Sequence, residues 1–438
     1  MDLLKDNVGK LYRKFFIASF GSALIACIYG LVDMAMVGQY HGPDGSAAMA
    51  VIAPIWNIIY SFGLLCGIGG SVIYAVARGE RDDVKAANGY FTSAFILGTI
   101  WALILWVLVW VCEEPLLRLF GANDALMPLC KEYMVAPKLT VPVYVFINLL
   151  SSFLRNDGDP GRATKAVIFG GIFNVFGDYF FVFTLDMGIK GAGIATAMGA
   201  SMSVLVMLTH FISKKNTLKF VKPLRILNNF KMISVNGFSS FIVDVAMGIA
   251  TMLFNRRVME YLGTDALAVY GVIVVVGTLV QCCSYGIGQA AQPVISRNFG
   301  AGLTDRIKTM LKYNIITAAV FGAIWTVLSM AMPQVFIKLF MTPTPEVLSI
   351  APGIIRIYAI SFILLPFNIY STYYFQAIMR AKISLIASVA RGIVISGALI
   401  LLLPVAFGGN AVWWAMPITE AVVFVYSAVM MKKVKLSR

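Results

Sequence analysis

Asn174 and Asp178, in the run FGGIFNVFGDYFFVF, stand four residues apart and so share one face if that run is helical. A second carboxylate, Asp33, sits in the long apolar stretch FFIASFGSALIACIYGLVDMAMVGQ. Thr196, in GAGIATAMGA, adds a hydroxyl among small residues, where helices can approach closely. Two carboxylates, an amide and a hydroxyl form an oxygen-rich set, and oxygen ligands suit a hard cation. The same set suits a proton. Two neighbouring carboxylates oppose each other's ionisation, and an ordinary Asp, titrating near ~3.9, needs such pressure to carry protons near neutral pH. An Asp at the centre of a membrane helix costs roughly 2.5–3.5 kcal/mol on insertion scales, so it faces a wet cavity or a partner. Asp33, Asn174, Asp178 and Thr196 are therefore read as a cation or proton site, with Na+ as the metal it could hold. The competing readings are a purely structural hydrogen-bond cluster, and an Asp33 near its helix end that reaches the headgroups.

The second half carries Asp244, Asn255, Gln281, Asn368 and Glu420 within or near apolar runs. With Asn148 of the first half they are candidates to line a substrate cavity. Arg391 is expected to snorkel or to pair with a carboxylate. Most of the 22 Met and 30 Phe face lipid or core, and a minority can form an adaptable apolar pocket. Other chemistry is absent from the sequence. No phosphate-binding G-x-x-x-x-G-K-[ST] motif or nucleophile elbow occurs, and Gly67-Ile-Gly-Gly lies inside an apolar run. His41 and His210 are the only histidines, too few for a His-rich metal centre. The chain is read as no enzyme, with no cofactor beyond a coupling ion. Cys112 and Cys130 flank one loop and could pair, but nothing else suggests a disulfide framework.

These residues need elements to hold them. The chain is 59% apolar and 13% charged over 438 residues, about half the charge content of a soluble domain. Its apolar residues fall in twelve runs, roughly 15–39, 47–77, 89–111, 134–154, 163–185, 190–212, 232–260, 267–296, 313–332, 352–379, 384–405 and 411–431. Each is long enough for a helix to cross ~30 Å of hydrocarbon. None shows the short alternating pattern of a barrel strand. The fold class is an all-α polytopic membrane protein. Alternate loops hold 26 of the 35 Lys and Arg, which places both termini in the cytoplasm. The net charge of +14 is thus a one-sided loop charge, not a sign of a nucleic-acid partner. The basic N-terminus runs straight into the first apolar stretch and is read as an uncleaved first helix.

The halves repeat each other. Gly42–Ile52 (GPDGSAAMAVI) aligns with Gly263–Ile273 (GTDALAVYGVI) at an offset of 221 residues, and Asn148 falls opposite Asn368 at an offset near 220. Six runs per half is even, so the repeat is parallel. Two six-helix lobes, 1–212 and 232–438, joined by a basic linker at 213–231, would place a binding site near the midplane where they meet.

LVDMAMVGQY, followed by GSAAMAVIAPI, resembles the multidrug and toxic compound extrusion (MATE) family. GIGGSVIYAVARGERDD, its counterpart GIGQAAQPVISRNFGAG, NVFGDYFFVF and KGAGIATA extend the likeness over nearly the whole chain, nearest the MepA-like and DinF-like bacterial branch. The resemblance implies a secondary antiporter that exports organic, often cationic or amphipathic, compounds in exchange for H+ or Na+. It also implies that Asp33, Asn174, Asp178 and Thr196 form the ion site of the N-lobe. One departure stands out: no Pro lies between Phe15 and Gln39, so a proline-centred bend of the first helix is not available, and Gly21 or Gly30 would have to serve. The expected partners are a small-molecule substrate and membrane lipid, with the chain a monomer. A flippase for lipid-linked saccharides is the alternative. It calls for a cavity lined by several arginines, and only Arg256, Arg257, Arg356 and Arg391 lie well inside the runs.

Overall fold

The computed structural model describes residues 2–81, 84–341 and 343–436. Its regular structure is helical, as it must be where no water is available to satisfy a free backbone group. Among the described residues, twelve long helices cross the bundle: α1 Val8–Gly42, α2 Asp44–Glu80, α3 Val84–Val111, α4 Val135–Asn156, α5 Pro160–Thr184 and α6 Gly188–Ile212 in the first lobe; then α7 (226–262) and α8 (264–300), α9 Thr304–Ala331, α10 Pro345–Ala377, α11 Ala381–Phe407 and α12 Gly409–Lys433 in the second. Nearly all begin or end a few residues beyond the apolar runs, because a helix does not stop where the bilayer does. Short helices Glu113–Leu119, Met127–Tyr133 and Pro333–Phe340 fill connections that the hydropathy pattern leaves open. One side of α3 exposes Ile100, Leu103 and Val107 while Phe91, Ala94 and Ala102 are buried, a division between lipid and neighbouring helices.

The duplication is visible in the backbone. α1 passes into α2 at Gly42 (φ 65°) and α7 into α8 at Gly263 (φ 79°), 221 residues on. Both take a left-handed conformation that glycine adopts without a Cβ penalty. Gly158 (φ 84°) and Met379 (φ 58°), just beyond α4 and α10, keep the same offset. That register corrects one expectation: at 221, Ile369 and not Asn368 stands opposite Asn148.

The lobes meet at the end of the bundle that carries both termini. A Cβ added to Gly79 of α2 would lie 2.1 Å from the Arg297 carbonyl oxygen, and one added to Gly300 of α8 2.0 Å from that of Val76. The two contacts are equivalents under the 221-residue repeat, so the seam has a local two-fold. Small residues let backbones approach where lipid supplies no hydrophobic drive for association. α1 joins the seam: Tyr12 hydrogen-bonds Thr317 and stacks on Tyr313 at 5.6 Å, and Phe20 packs where Gly286 has no side chain.

The linker is tied to the first lobe. Asp157 accepts from the Thr217 amide at 2.9 Å, and the Asn88 side chain bonds the Thr217 carbonyl oxygen at 3.0 Å and the Lys219 amide at 3.2 Å. The Val221 amide reaches Thr92 Oγ1 at 3.0 Å. Helix α7 begins at Ile226, so 226–231 belongs to a helix and not to a loop. All six cysteines are free, Cys112 and Cys130 among them. Asp82 and Asp83, which end the ARGERDD run, lie outside the described residues.

Candidate functional site

α5 and α6 cross tightly. A Cβ on Gly199 would meet the Gly170 carbonyl oxygen at 2.6 Å and Asn174 Cβ at 2.9 Å. That approach brings Thr196 of α6 to Asn174 of α5, whose Nδ2 lies 3.4 Å from Thr196 Oγ1 and 3.5 Å from Asp178 Oδ1. α1 packs on α5, with Tyr29 against Gly171, and brings Asp33 within hydrogen-bond reach of Thr196. Asp33, Asn174, Asp178 and Thr196 are all buried inside the lobe, so Asp33 is not a headgroup-facing helix end. The structure thus brings together the four residues of the predicted set. It adds a fifth, Tyr133, whose hydroxyl donates to Asp33 Oδ2 at 3.0 Å.

The cluster is short of donors. Asp33 Oδ1, Asn174 Oδ1 and Asp178 Oδ2 are each buried with no hydrogen-bond partner among the described residues. A buried acceptor left unpaired costs ~1–3 kcal/mol, so three in one cluster suit a donor from outside the chain, such as a water, a proton or a cation. The donor set is all oxygen, which fits H+ or a hard ion such as Na+. Immediately after Asp178 the helix widens into a π-helical stretch, Tyr179–Thr184, a distortion found often beside functional residues.

The second lobe holds its own polar centre. Gln281 Nε2 donates to Tyr285 Oη at 2.7 Å, and Tyr285 Oη donates to Asp244 Oδ1 at 2.6 Å. Asp244 Oδ2 is buried without a partner. A few residues away in the same cavity, Asn368 Nδ2 donates to Glu420 Oε2 at 2.6 Å, while Arg391 Nε donates to Glu420 Oε1 at 2.7 Å. Arg391 pairs with a carboxylate, as its place in an apolar run implied. Asp244, Tyr285, Asn368 and Arg391 line a narrow cavity of about 10 Å³, room for about one water. A second cavity, of about 110 Å³, is also lined by Arg391 and includes Gln281, Met247, Phe254 and Met416.

Three cavity candidates line neither cavity: Glu420 is fully buried against Asn368 and Arg391, and Asn148 and Asn255 lie elsewhere. Asn148 is wedged against α2, where Gly63 and Gly67 carry no side chains, and it donates weakly to the Tyr144 carbonyl oxygen at 3.4 Å. Asn255 is exposed and lines neither C-lobe cavity. Both sit on helices whose cavity-facing side is set by packing that their spacing alone does not reveal. Sequence reading missed three residues. Tyr285 was legible, one turn after Gln281 on the same face. Tyr133 lies just outside an apolar run. Arg155, counted with the loop cations, is buried at the lobe seam within electrostatic reach of Tyr60 and Tyr373.

Two lobes of six long apolar helices, each with buried polar residues facing inward, define a polytopic membrane protein with the build of a transporter. Residues 18–180 and 238–401 match the MatE family model, one stretch in each lobe, and the chain belongs to that family. It is similar to the multidrug export protein MepA of Staphylococcus haemolyticus (strain JCSC1435), with 24% identity over 424 residues covering 95% of this chain and 92% of the relative. MepA of Staphylococcus aureus (strain MSSA476) is 22% identical over 426 residues, with the same coverage. Among solved structures, the outward-facing conformation of a multidrug resistance MATE family transporter of the MOP superfamily superposes with a TM-score of 0.89 at 22% identity, over 98% of this chain and 97% of that one. A MOP superfamily transporter from Pyrococcus furiosus, described as having a binding pocket of reverse polarity, gives 0.88 at 22% identity over 99% and 98%. These likenesses establish the shared fold.

Proposed function

We propose that this protein exports organic compounds across the bacterial cell membrane in exchange for H+ or Na+, by alternating access of a cleft between its lobes. The observation that carries the reading is the group of three unpartnered buried oxygens on Asp33, Asn174 and Asp178. The names of the MepA relatives support a multidrug substrate range, and the distribution of Lys and Arg supports cytoplasmic termini.

α1 is the mechanical link. It carries Asp33 in the ion cluster and, nearer its start, the contacts of Tyr12 and Phe20 with the second lobe. Neutralising Asp33 weakens its hold on Tyr133, and any shift of α1 is felt at the seam. Binding of the ion and release of substrate thereby bias one equilibrium, which is what coupling requires. One charge crossing 100 mV is worth ~2.3 kcal/mol, roughly 50-fold in concentration. Exchange of one monovalent cation for one proton moves no net charge and draws on the chemical gradient alone.

The test is export of a dye read as its uptake into inverted vesicles, with a pH gradient and a Na+ gradient imposed separately. Efflux driven by either gradient supports exchange and names the ion. Efflux indifferent to both overturns the reading. The flippase alternative is less well supported: Arg356 bonds the Met330 carbonyl oxygen at 3.1 Å, Arg257 pairs with Glu260 at 2.7 Å, and Arg256 is exposed.

A further inference from the structure

The linker between the lobes is a run of cations without acids. From Asp186 to Asp244 the chain has no carboxylate, while Lys214, Lys215, Lys219, Lys222, Arg225 and Lys231 fall within residues 213–231. All six are exposed. Lys215 lies 3.6 Å from Asp159, and the other five have no ion-pair partner among the described residues. Arg306 and Lys308, in another basic loop, are by contrast engaged. Arg306 donates to Asn298 at 2.8 Å and to the Leu3 carbonyl oxygen at 3.1 Å, and Lys308 lies 3.7 Å from Asp305.

Helix α3 fixes the depth of the linker. Asn88 Oδ1 and Thr92 Oγ1, one turn apart on α3, accept from the Lys219 and Val221 amides. Pro223 passes beside Gly89, and Asn229 donates to Ser93 Oγ at 2.9 Å. The apolar run of α3 begins at residue 89, so the linker lies where hydrocarbon gives way to headgroups. Phe220 packs back on Phe91 and Phe95, with ring centroids 5.1 and 5.0 Å apart, yet stays 57% exposed. Leu224 and Leu227 are 98% and 78% exposed. Cations interleaved with exposed apolar side chains suit a segment lying in the plane of the interface, its apolar groups in the acyl boundary and its charges among headgroups.

We propose that residues 219–231, the end of the linker and the first turn of α7, bind anionic phospholipid headgroups of the leaflet on the terminus-bearing side. Headgroup phosphates take Lys219, Lys222 and Arg225, while Phe220, Leu224 and Leu227 enter the acyl boundary. Attraction to an anionic leaflet is worth about fivefold in binding per cation and fades within a Debye length. A soluble polyanion would satisfy the charges but leave both leucines in water; a leaflet takes both. The general bias of Lys and Arg to one face keeps cations on this side, but it does not lay them against the bilayer beside exposed leucines. The binding stands on the membrane placement of the helices and is independent of the exporter reading.

The experiment reconstitutes the purified full-length protein in phosphatidylcholine bilayers. Electron paramagnetic resonance then reads the fractions of spin-labelled phosphatidylglycerol and of spin-labelled phosphatidylcholine immobilised at its surface. A preference for phosphatidylglycerol of about fivefold or more is expected, shrinking at high salt. K219Q/K222Q/R225Q should lose most of that preference. K432Q/K433Q/K435Q, which removes three exposed cations from the C-terminus instead, should keep it. Thermal unfolding checks that both variants are folded. No preference in the parent protein, a preference untouched in the folded linker variant, or an equal loss in the two variants overturns the proposal. Equimolar poly-glutamate that binds the parent protein and abolishes its lipid preference also overturns it, and would assign the linker to an acidic protein.

Discussion

Tyr133 reaches Asp33 across 3.0 Å from a short helix that lies outside every apolar run, and it satisfies only one of the two carboxylate oxygens. The other has no partner among the described residues, and the proposed exchange would place the ion there. Asp33→Asn and Asp178→Asn should each abolish ion-driven dye efflux while leaving membrane expression intact, because an amide neither takes up a proton nor supplies charge to a cation. Tyr133→Phe should lower efflux without abolishing it. Full efflux by both Asn variants would remove the ion site from the mechanism.

Cys27 of α1 and Cys282 of α8 lie in thiol–thiol contact across the seam, and both are free. Mild oxidation should tie the lobes together and stop efflux, with recovery on reduction. Cys27→Ser should be indifferent to the oxidant. Continued efflux in the cross-linked protein would show that this seam does not open.

Arg391 and Glu420 form a buried pair, and breaking one partner of such a pair costs about 3–5 kcal/mol. R391Q and E420Q should each lower the melting temperature in detergent markedly, and the double variant should recover much of the loss. Additive losses in the double-mutant cycle would mean that the two groups do not interact.

Outside the membrane, Asp159 closes the joint between α4, α5 and the linker. Its burial pushes its pKa up, but the Arg162 hydrogen bond, the Lys215 charge and the His210 contact outweigh that and hold it below the ordinary 3.8. A carboxylate depressed in the folded state stabilises above its unfolded pKa, and the benefit fades as pH falls through the folded value. Melting temperature should therefore drop as pH is taken from neutral to below about 3.8. Asp159→Asn should start lower at neutral pH and fall less over that range. Equal slopes for the two proteins would exclude Asp159 as the titrating group.

Replacing Gly300 by Ala places a methyl 2.0 Å from the Val76 carbonyl oxygen. The seam must then part. Gly300→Ala should make Cys27 more reactive to a membrane-impermeant thiol reagent added from the terminus-bearing side, compared with the parent protein. Unchanged labelling would place the closure elsewhere.

The amino-acid sequence by itself determined twelve helices, two repeated lobes and the four oxygen-bearing residues Asp33, Asn174, Asp178 and Thr196. The reason is that a bilayer permits few solutions: apolar length defines each helix, and a polar residue inside one stands out against the apolar residues around it. Only the tertiary structure decided which of those polar residues meet. Tyr133 joins Asp33 from a connecting helix, Asn148 goes to packing instead of a cavity, and Arg391 lines two cavities while pairing with a glutamate 29 residues away. Such meetings depend on how far helices approach and rotate about one another. That is set by glycines facing distant backbone, as Gly79 faces Arg297 and Gly199 faces Gly170, and no local pattern records it.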